Sequence, residues 1–274
     1  MVTNASGTKP SGSSPARVTS SRRLWRSARL RQAAQATRRS VLTGVRWLTR
    51  QEAAVLVAML IILLAFFGFV RIAEEIGEGE LANFDEWLLR LLRVPGHPHV
   101  PVGPSWLMEA AHDITALGGR TMLLAVTLFA IGYLSLERKY GAMWLVAAAT
   151  GGGGLLSTIM KHHFGRDRPE VVSHLVAVSS PSFPSGHSML AAILYLTLGA
   201  LLARFATRHR TKVYLLTVAL LAAFLIGGSR VYLGVHYPTD VLAGWCAGLV
   251  WALICWLVAR YLQARGTVEK SGRV

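Results

Sequence analysis

Three short segments of the sequence carry side chains that could do chemistry together. They are KHHFGRDRP at 161–169, PSGH at 184–187 and SRVYLGVHYPTD at 229–240. Lys161, Arg168 and Arg230 suit a tetrahedral oxyanion, because a guanidinium binds it with paired hydrogen bonds and an ammonium acts as a point charge. Ser185 and Gly186 add backbone N–H groups where an apolar helix begins, and the helix dipole favours negative charge there. The pattern therefore predicts a phosphate site.

Two histidines and an aspartate could act on that phosphate. His236 and Asp240 are four residues apart, with Pro238 between them at a typical first position of a helix. A carboxylate beside the imidazole can hold its tautomer and leave the other ring nitrogen free to act as a base or nucleophile. His187 opens a different helix and could protonate the leaving oxygen.

The elements that must position these residues are membrane-spanning helices. The chain is 53% hydrophobic and only 16% charged, a balance typical of a multi-span membrane protein. Apolar segments near the length of about 20 residues that a helix needs to cross a bilayer lie at 53–70, 121–136, 141–160, 188–203, 213–228 and 239–259, and Asp240 near the start of the last is the one charged residue within them. The sequence therefore predicts an all-α, six-span transmembrane helical bundle. All three chemical segments then lie at one membrane face.

Two features inside the spans predict structure and no chemistry. The GGGG segment at 151–154 lies in the third span and indicates close helix packing. Cys246 and Cys255 are nine residues apart on the last span, about 13 Å along a helix, which is too far for a disulfide.

The charge distribution predicts the orientation. Residues 1–50 hold eleven Lys or Arg and no acidic residue, and account for most of the net charge of +15. We interpret them as a partly disordered cytoplasmic tail with a basic segment for anionic lipid, and we assign no nucleic-acid role. The six-span membrane domain then covers 51–262, and 263–274 is a second cytoplasmic tail. The positive-inside rule places both termini in the cytoplasm and the phosphate site on the opposite, extracytoplasmic face of the membrane.

The segment between the first two spans has its own pattern. NFDEWLLRLLR, from Asn83 to Arg93, repeats apolar residues at helical spacing, and Asn83 with Glu86 forms a capping-box pattern. We predict an amphipathic helix lying at the outer interface, followed by a loop. It is either a packing element or a lip that guides lipid to the site.

Other polar residues near the motifs have simpler expected uses. Arg166 and Asp167 are expected to form a local ion pair. His162 and His163 match no chemical pattern and are expected at the end of a helix or in a loop. Asp113 is expected to cap the second span or to close the pocket.

The three segments resemble, in order and spacing, the motif of the type 2 phosphatidic acid phosphatase (PAP2) superfamily of lipid phosphatases: Lys-x6-Arg-Pro, Pro-Ser-Gly-His and Ser-Arg-x5-His-x3-Asp. The resemblance covers about residues 53–260. It implies phosphate binding by Lys161, Arg168, Ser185, Gly186 and Arg230. It also implies a phosphohistidine on His236, orientation of His236 by Asp240, general acid catalysis by His187, and no metal or other cofactor.

The resemblance leaves the substrate and the fate of the phosphate open. Undecaprenyl pyrophosphate is the favoured lipid, because a polyprenyl carrier is dephosphorylated on that face, and phosphatidylglycerophosphate or phosphatidate is the alternative. Transfer of the phosphate to another lipid instead of water is a second hypothesis. A transport or lipid-binding module that only holds an anion is a third, although anion binding needs no oriented acid and base.

Overall fold

The computed structural model describes residues 52–176, 178 and 180–264. In chain order its elements are α1 (Glu52–Glu78), α2 (Ala82–Leu91), β1 (Arg93–Val94), β2 (His97–Pro101), α3 (Ser105–Leu117), α4 (Arg120–Leu136), α5 (Tyr140–Phe164), α6 (Gly186–Phe205), α7 (His209–Tyr232) and α8 (Pro238–Ala264). The chain divides into two compact units, Met1–Leu56 and Val57–Val274, and the contacts given below belong to the second. The predicted N-terminal tail, and the C-terminal tail beyond residue 264, lie outside the described residues.

Five of the described helices, α1, α5, α6, α7 and α8, are long and apolar enough to cross a bilayer. Helices α3 and α4 pass the same test only as a pair, bent by 48°. The predicted multi-pass helical membrane protein is thus confirmed, with five spans or, if the bent pair is one span, six. The predicted second span corresponds to α4, whose 17 residues are short for a crossing. The sequence reading missed α3, because Glu109, His112 and Asp113 interrupt its apolar pattern.

Helix α6 packs against α5, α7 and α8, and ten of its 20 residues are buried. Small residues allow the close approach of α8. A Cβ added to Gly244 would lie 2.7 Å from the carbonyl oxygen of Ser185, and one added to Gly248 would lie 2.6 Å from that of Met189. Since neither position has room for a larger side chain, α8 packs closely against the PSGH turn at Gly244 and against α6 at Gly248.

The predicted close packing at the GGGG segment is confirmed for two of its residues. Gly152 and Gly153 face the indole of Trp251 on α8, and a Cβ on Gly152 would lie 2.5 Å from that ring. The Trp251 indole N–H donates to the carbonyl of Ala149, 2.8 Å away, which ties α8 to α5. Both cysteines are free thiols, as predicted.

The segment after α1 forms a helix, but its predicted capping box is wrong. Helix α2 begins at Ala82, one residue before the predicted cap Asn83, and no side chain caps it. Three residues of the predicted apolar pattern, Phe84, Trp87 and Leu91, are exposed, whereas Asp85 and Leu89, which lie outside that pattern, are completely buried. Part of the expected loop pairs as the antiparallel ribbon β1–β2, the one departure from all-α structure among the described residues.

Candidate active site

Side chains from all three motifs meet at one cavity of about 790 Å³. Its lining includes Lys161, Arg168, Gly186, His187 and Arg230, which lie up to 69 positions apart in the sequence. The cavity continues between α4, α5 and α6, where its lining is mostly apolar. The structure therefore combines a cationic region with an apolar extension, a combination that suits a phosphate carried on a hydrocarbon chain.

The first motif places two cations at this cavity. Lys161 lies in the last turn of α5, is only 8% exposed, and donates to the carbonyl of Pro181 at 2.5 Å. The Nε of Arg168 donates to the carbonyl of Ser180 at 2.8 Å, and its Nη1 donates to that of Val235 at 2.5 Å. Burial lowers the pKa of Arg168, although Asp240 opposes the shift. Because these backbone contacts hold both side chains, the cations are positioned before any anion arrives.

Arg230 supplies the third cation from the last turn of α7. It is 4% exposed, and its Nη1 donates to the hydroxyl of Thr115 on α3 at 3.0 Å. Its Nε has no partner among the described residues. Thr115 was missed by the sequence reading, which considered only Asp113 in this segment. Asp113 lies within α3 and the N-cap of α4 is Gly119, so the predicted capping role of Asp113 is wrong.

His236 lies between α7 and α8 and is 1% exposed. Its Nδ1 is 3.4 Å from Oδ2 of Asp240 and 3.3 Å from the hydroxyl of Ser182, whereas its Nε2 is 3.4 Å from Nη1 of Arg168. Burial lowers the pKa of His236 to about 4, although the hydrogen bond and charge of Asp240 oppose the shift. The ring is therefore neutral at pH 7, with Nδ1 toward the acid and Nε2 toward a cavity-lining cation.

Asp240 lies in the first turn of α8, and its carboxylate is fully buried. Oδ2 accepts the backbone N–H of Tyr237 at 2.9 Å and also the hydroxyl of Ser182 in a short hydrogen bond. Oδ1 accepts Nη1 of Arg166 at 2.7 Å. The sequence reading missed Ser182, which lies just before PSGH and whose hydroxyl reaches both Asp240 and His236.

The predicted ion pair between Arg166 and Asp167 is wrong. Arg166 instead bridges two buried carboxylates, Asp85 at 2.8 Å and Asp240 at 2.7 Å, while Asp167 is exposed. Its guanidinium also stacks over the ring of Tyr237, 4.2 Å from the centroid. Burial acts to lower the pKa of Arg166, but the two carboxylates outweigh it and raise that pKa above its ordinary value. Arg166 thus connects α2 to α8 through the carboxylate that faces the predicted nucleophile, His236.

The PSGH turn leads into α6. Ser185 is the N-cap, and its hydroxyl accepts hydrogen bonds from the backbone N–H and the hydroxyl of Ser188. The N–H of Ser185 donates to the carbonyl of Asp240 at 2.9 Å. Since both groups are engaged, phosphate binding by Ser185 stays a prediction, whereas Gly186 and His187 line the cavity.

The two histidines beside Lys161 lie in the last turn of α5, as predicted, and neither lines this cavity. His162 Nδ1 is 2.8 Å from the carbonyl oxygen of Thr158, the acceptor one turn earlier. The ring of His163 meets Phe164 edge to face, with centroids 5.0 Å apart. Both contacts are local and do not point to phosphate chemistry.

Comparisons with known proteins agree with the motif resemblance. The family model of the PAP2 superfamily matches residues 142–264, which contain all three motifs. Phosphatidylglycerophosphatase B of Bacillus subtilis (strain 168) is 39% identical over 148 residues, or 53% of this chain and 71% of the relative. An undecaprenyl-diphosphatase of Sulfolobus acidocaldarius is 37% identical over 67 residues, or 24% of this chain and 28% of the relative.

A solved structure shares the fold. The crystal structure of a transmembrane PAP2-type phosphatidylglycerolphosphate phosphatase from Bacillus subtilis matches with a TM-score of 0.67 and 29% identity. The match covers 77% of this chain and 98% of that structure. The similarity thus extends over most of the described helices as well as the motifs.

Proposed function

Because this chain belongs to the PAP2 superfamily of membrane lipid phosphatases, we propose that it removes the terminal phosphate from a lipid phosphate or diphosphate through a phosphohistidine on His236. One observation carries the proposal. The buried ring of His236 presents Nδ1 to Asp240 and Nε2 to Arg168, whose side chain lines the cavity. A histidine that only stabilised the fold would need neither an oriented tautomer nor a cationic neighbour for its free nitrogen.

The proposed reaction has two displacements. In the first, Nε2 of His236 attacks phosphorus, the N–P bond forms, and the P–O bond to the lipid breaks. The electron pair goes to the leaving oxygen, which takes a proton from His187. In the second, water attacks phosphorus while His187 takes its proton, and the N–P bond breaks with its electron pair returning to Nε2. Asp240 stabilises the charge that the imidazole ring acquires while it is phosphorylated.

Phosphate binding is assigned to the three motif cations and the N–H groups that begin α6. Nη1 of Arg168 is 3.4 Å from Nε2 of His236, so this guanidinium can bind an oxygen of a phosphate whose phosphorus faces that nitrogen. Lys161 and Arg230 can bind the remaining oxygens. The chemistry requires no metal ion, since charge neutralisation can come from these cations.

Undecaprenyl pyrophosphate is the substrate we favour, and the charge of the cavity lining supports a diphosphate as the bound group. Arg120 lines it as a fourth cation, and the lining residues include no Asp or Glu. Arg120 makes no hydrogen bond or ion pair with any described residue. A second phosphate would supply the extra negative charge that balances this cation. Phosphatidylglycerophosphate or phosphatidate remains the alternative, favoured by the name of the Bacillus relative.

We propose that the site faces the periplasm or exterior of a bacterial inner membrane. The positive-inside distribution of Lys and Arg supports this orientation. Helix α2 is then an interfacial helix on the outer face, with its exposed Phe84, Trp87 and Leu91 in the lipid.

Phosphate release by the detergent-purified protein tests the function. Undecaprenyl pyrophosphate, phosphatidylglycerophosphate and phosphatidate are supplied separately, with EDTA present, beside His236→Ala and the control His209→Ala at the exposed start of α7. We expect release by wild type and His209→Ala, none by His236→Ala, and acid-labile phosphate on the wild-type protein during turnover. Full activity of folded His236→Ala would overturn the mechanism. Phosphate recovered on a second lipid would instead identify a phosphotransferase.

A further inference from the structure

Asp85 is completely buried on α2 although it belongs to none of the three motifs. Its Oδ1 accepts the backbone N–H of Thr239 at 3.1 Å. Its Oδ2 accepts the hydroxyl of Thr239 at 2.5 Å and Nη2 of Arg166 at 2.8 Å. All three contacts come from donors, so a carboxylate fits here, whereas an amide would turn its own N–H groups toward a donor.

Two routes connect Asp85 to Asp240. The first is Arg166, whose separate Nη atoms reach Asp85 and Asp240 and whose plane is held by the ring of Tyr237. The second is the first turn of α8, where Asp85 holds both the backbone and the hydroxyl of Thr239, the residue before Asp240. Both routes end at the carboxylate that faces Nδ1 of His236.

The electrostatic balance of this cluster depends on Asp85. Burial raises the pKa of Asp85, and its hydrogen bonds from Thr239 and Arg166 oppose the shift. The charged and titratable groups that face it are Arg166 from the loop after α5, and Tyr237 and Asp240 at the start of α8. Removing the Asp85 charge would leave Arg166 with one carboxylate partner, and a guanidinium no longer held from both sides can turn.

We propose that Asp85 is a positioning residue of the phosphatase centre, which holds Arg166 and the first turn of α8 so that Asp240 faces Nδ1 of His236. This inference rests on the proposed role of His236 as nucleophile. Helix α2 then has a second task besides membrane contact, because one of its faces supports the reaction while the opposite face is exposed.

A double-mutant cycle tests the proposal. Asp85→Asn is compared with Asp240→Asn and with the double variant, and Glu86→Gln is the control, since Glu86 is the next residue on α2 and pairs with exposed Arg90 at 2.9 Å. We expect Asp85→Asn to lower kcat about 30-fold, which corresponds to about 2 kcal/mol at 1.36 kcal/mol per tenfold change. Inhibition by inorganic phosphate should change less than about twofold, because the proposed phosphate-binding side chains do not contact Asp85. Glu86→Gln should match wild type.

Non-additivity separates positioning from a general loss of stability. In the Asp240→Asn background, Asp85→Asn should lower kcat by less than about threefold, because the group through which it acts is already lost. Full additivity of the two losses would overturn the proposal. If Asp85→Asn does not fold, Arg166→Lys is measured in the same cycle, since an ammonium cannot bridge two carboxylates as a guanidinium does. Wild-type kcat for Arg166→Lys would equally overturn it.

A readout without turnover distinguishes this proposal from the function on which it rests. Nitrogen NMR of ¹⁵N-histidine-labelled protein, with the His236 signals assigned by their loss in His236→Ala, reports which ring nitrogen carries the proton. We expect the Nδ1–H tautomer in wild type and Glu86→Gln, and a reduced share of it in Asp85→Asn. An unchanged tautomer would overturn the positioning role even if turnover were normal. Absence of phosphate release by the wild type would instead refute the proposed function and leave the NMR comparison valid.

Discussion

Replacing Asp240 by Asn tests how far the reaction depends on the orientation of His236. The carboxylate accepts hydrogen bonds on both oxygens, from Arg166 on Oδ1 and from the backbone N–H of Tyr237 on Oδ2. If the NH2 group of the new Asn takes the place of Oδ1, its N–H bonds point at the guanidinium of Arg166. If it replaces Oδ2, it points at the N–H of Tyr237 and donates to Nδ1 of His236, which moves the ring proton to Nε2. Neither orientation of the Asn amide preserves the geometry.

The size of the effect follows from that tautomer. A histidine protonated on Nε2 has no lone pair for phosphorus, and the phosphorylated ring also loses the negative charge that stabilises it. In a serine-protease triad the same substitution lowers kcat about 10⁴-fold. We expect folded Asp240→Asn to lose about 10³- to 10⁴-fold in kcat, or about 4–5.5 kcal/mol at 1.36 kcal/mol per tenfold change. KM should change little, because Asp240 does not line the cavity.

The assay measures the initial rate of phosphate release in detergent. It also measures the amount of acid-labile phosphate bound to the protein during turnover. Asp167→Asn is the matched control, since Asp167 lies in the first motif but is exposed and has no hydrogen bond or ion pair within the described part of the chain. It should retain wild-type kcat and KM. A folded Asp240→Asn protein with kcat within about tenfold of wild type would refute the tautomer argument.

Three further predictions concern His236 and two cations that line the cavity, Arg230 and Arg120. Burial lowers the pKa of His236 to about 4. As the proposed nucleophile, His236 reacts only when its ring is neutral, so activity should be lost through this group only as the pH falls through that value; an NMR titration giving a pKa near 6.5 would contradict this. Arg230→Lys should lower kcat/KM about 100-fold, since an ammonium cannot reach Thr115 and bind phosphate with two hydrogen bonds; an unchanged steady-state kcat/KM would argue against direct contact. Arg120→Ala should lower kcat/KM about tenfold for undecaprenyl pyrophosphate and leave undecaprenyl phosphate almost unaffected, and equal losses on both lipids would count against a second-phosphate contact.

The spans and the motif residues could be predicted because their signals are local. A membrane helix needs a continuous apolar segment, and α5 to α8 each contain one that the composition reveals. The motif cations, His187 and His236 lie at span ends, so the order of the spans alone brings them to one face. The bent pair α3 and α4 was harder to predict, since each half is short and α3 carries polar residues.

The connection from Asp85 through Arg166 to Asp240 could not be predicted in the same way. The interpretation of Arg166 and Asp167 as an ion pair followed chain proximity, whereas the actual partners of Arg166 lie 81 and 74 positions away. Such pairs form only when a buried guanidinium finds acidic groups inside the fold, because unpaired burial of its charge is unfavourable. Nothing in the spacing of NFDEWLLRLLR distinguishes the buried Asp85 from the partly exposed Glu86 beside it.

By itself, the sequence determined that this is a multi-pass helical membrane protein that carries the three PAP2 motifs, because the length of an apolar segment and the spacing of a motif are properties of the chain. Only the tertiary structure decided which neighbours hold these groups: Ser182 and Arg166 on Asp240, Thr115 on Arg230, and Asp85 behind Arg166. The physical reason is that buried polar groups must be satisfied by whatever donors and acceptors packing brings near. That packing depends on close contacts such as Gly244 against the PSGH turn, which no local pattern encodes.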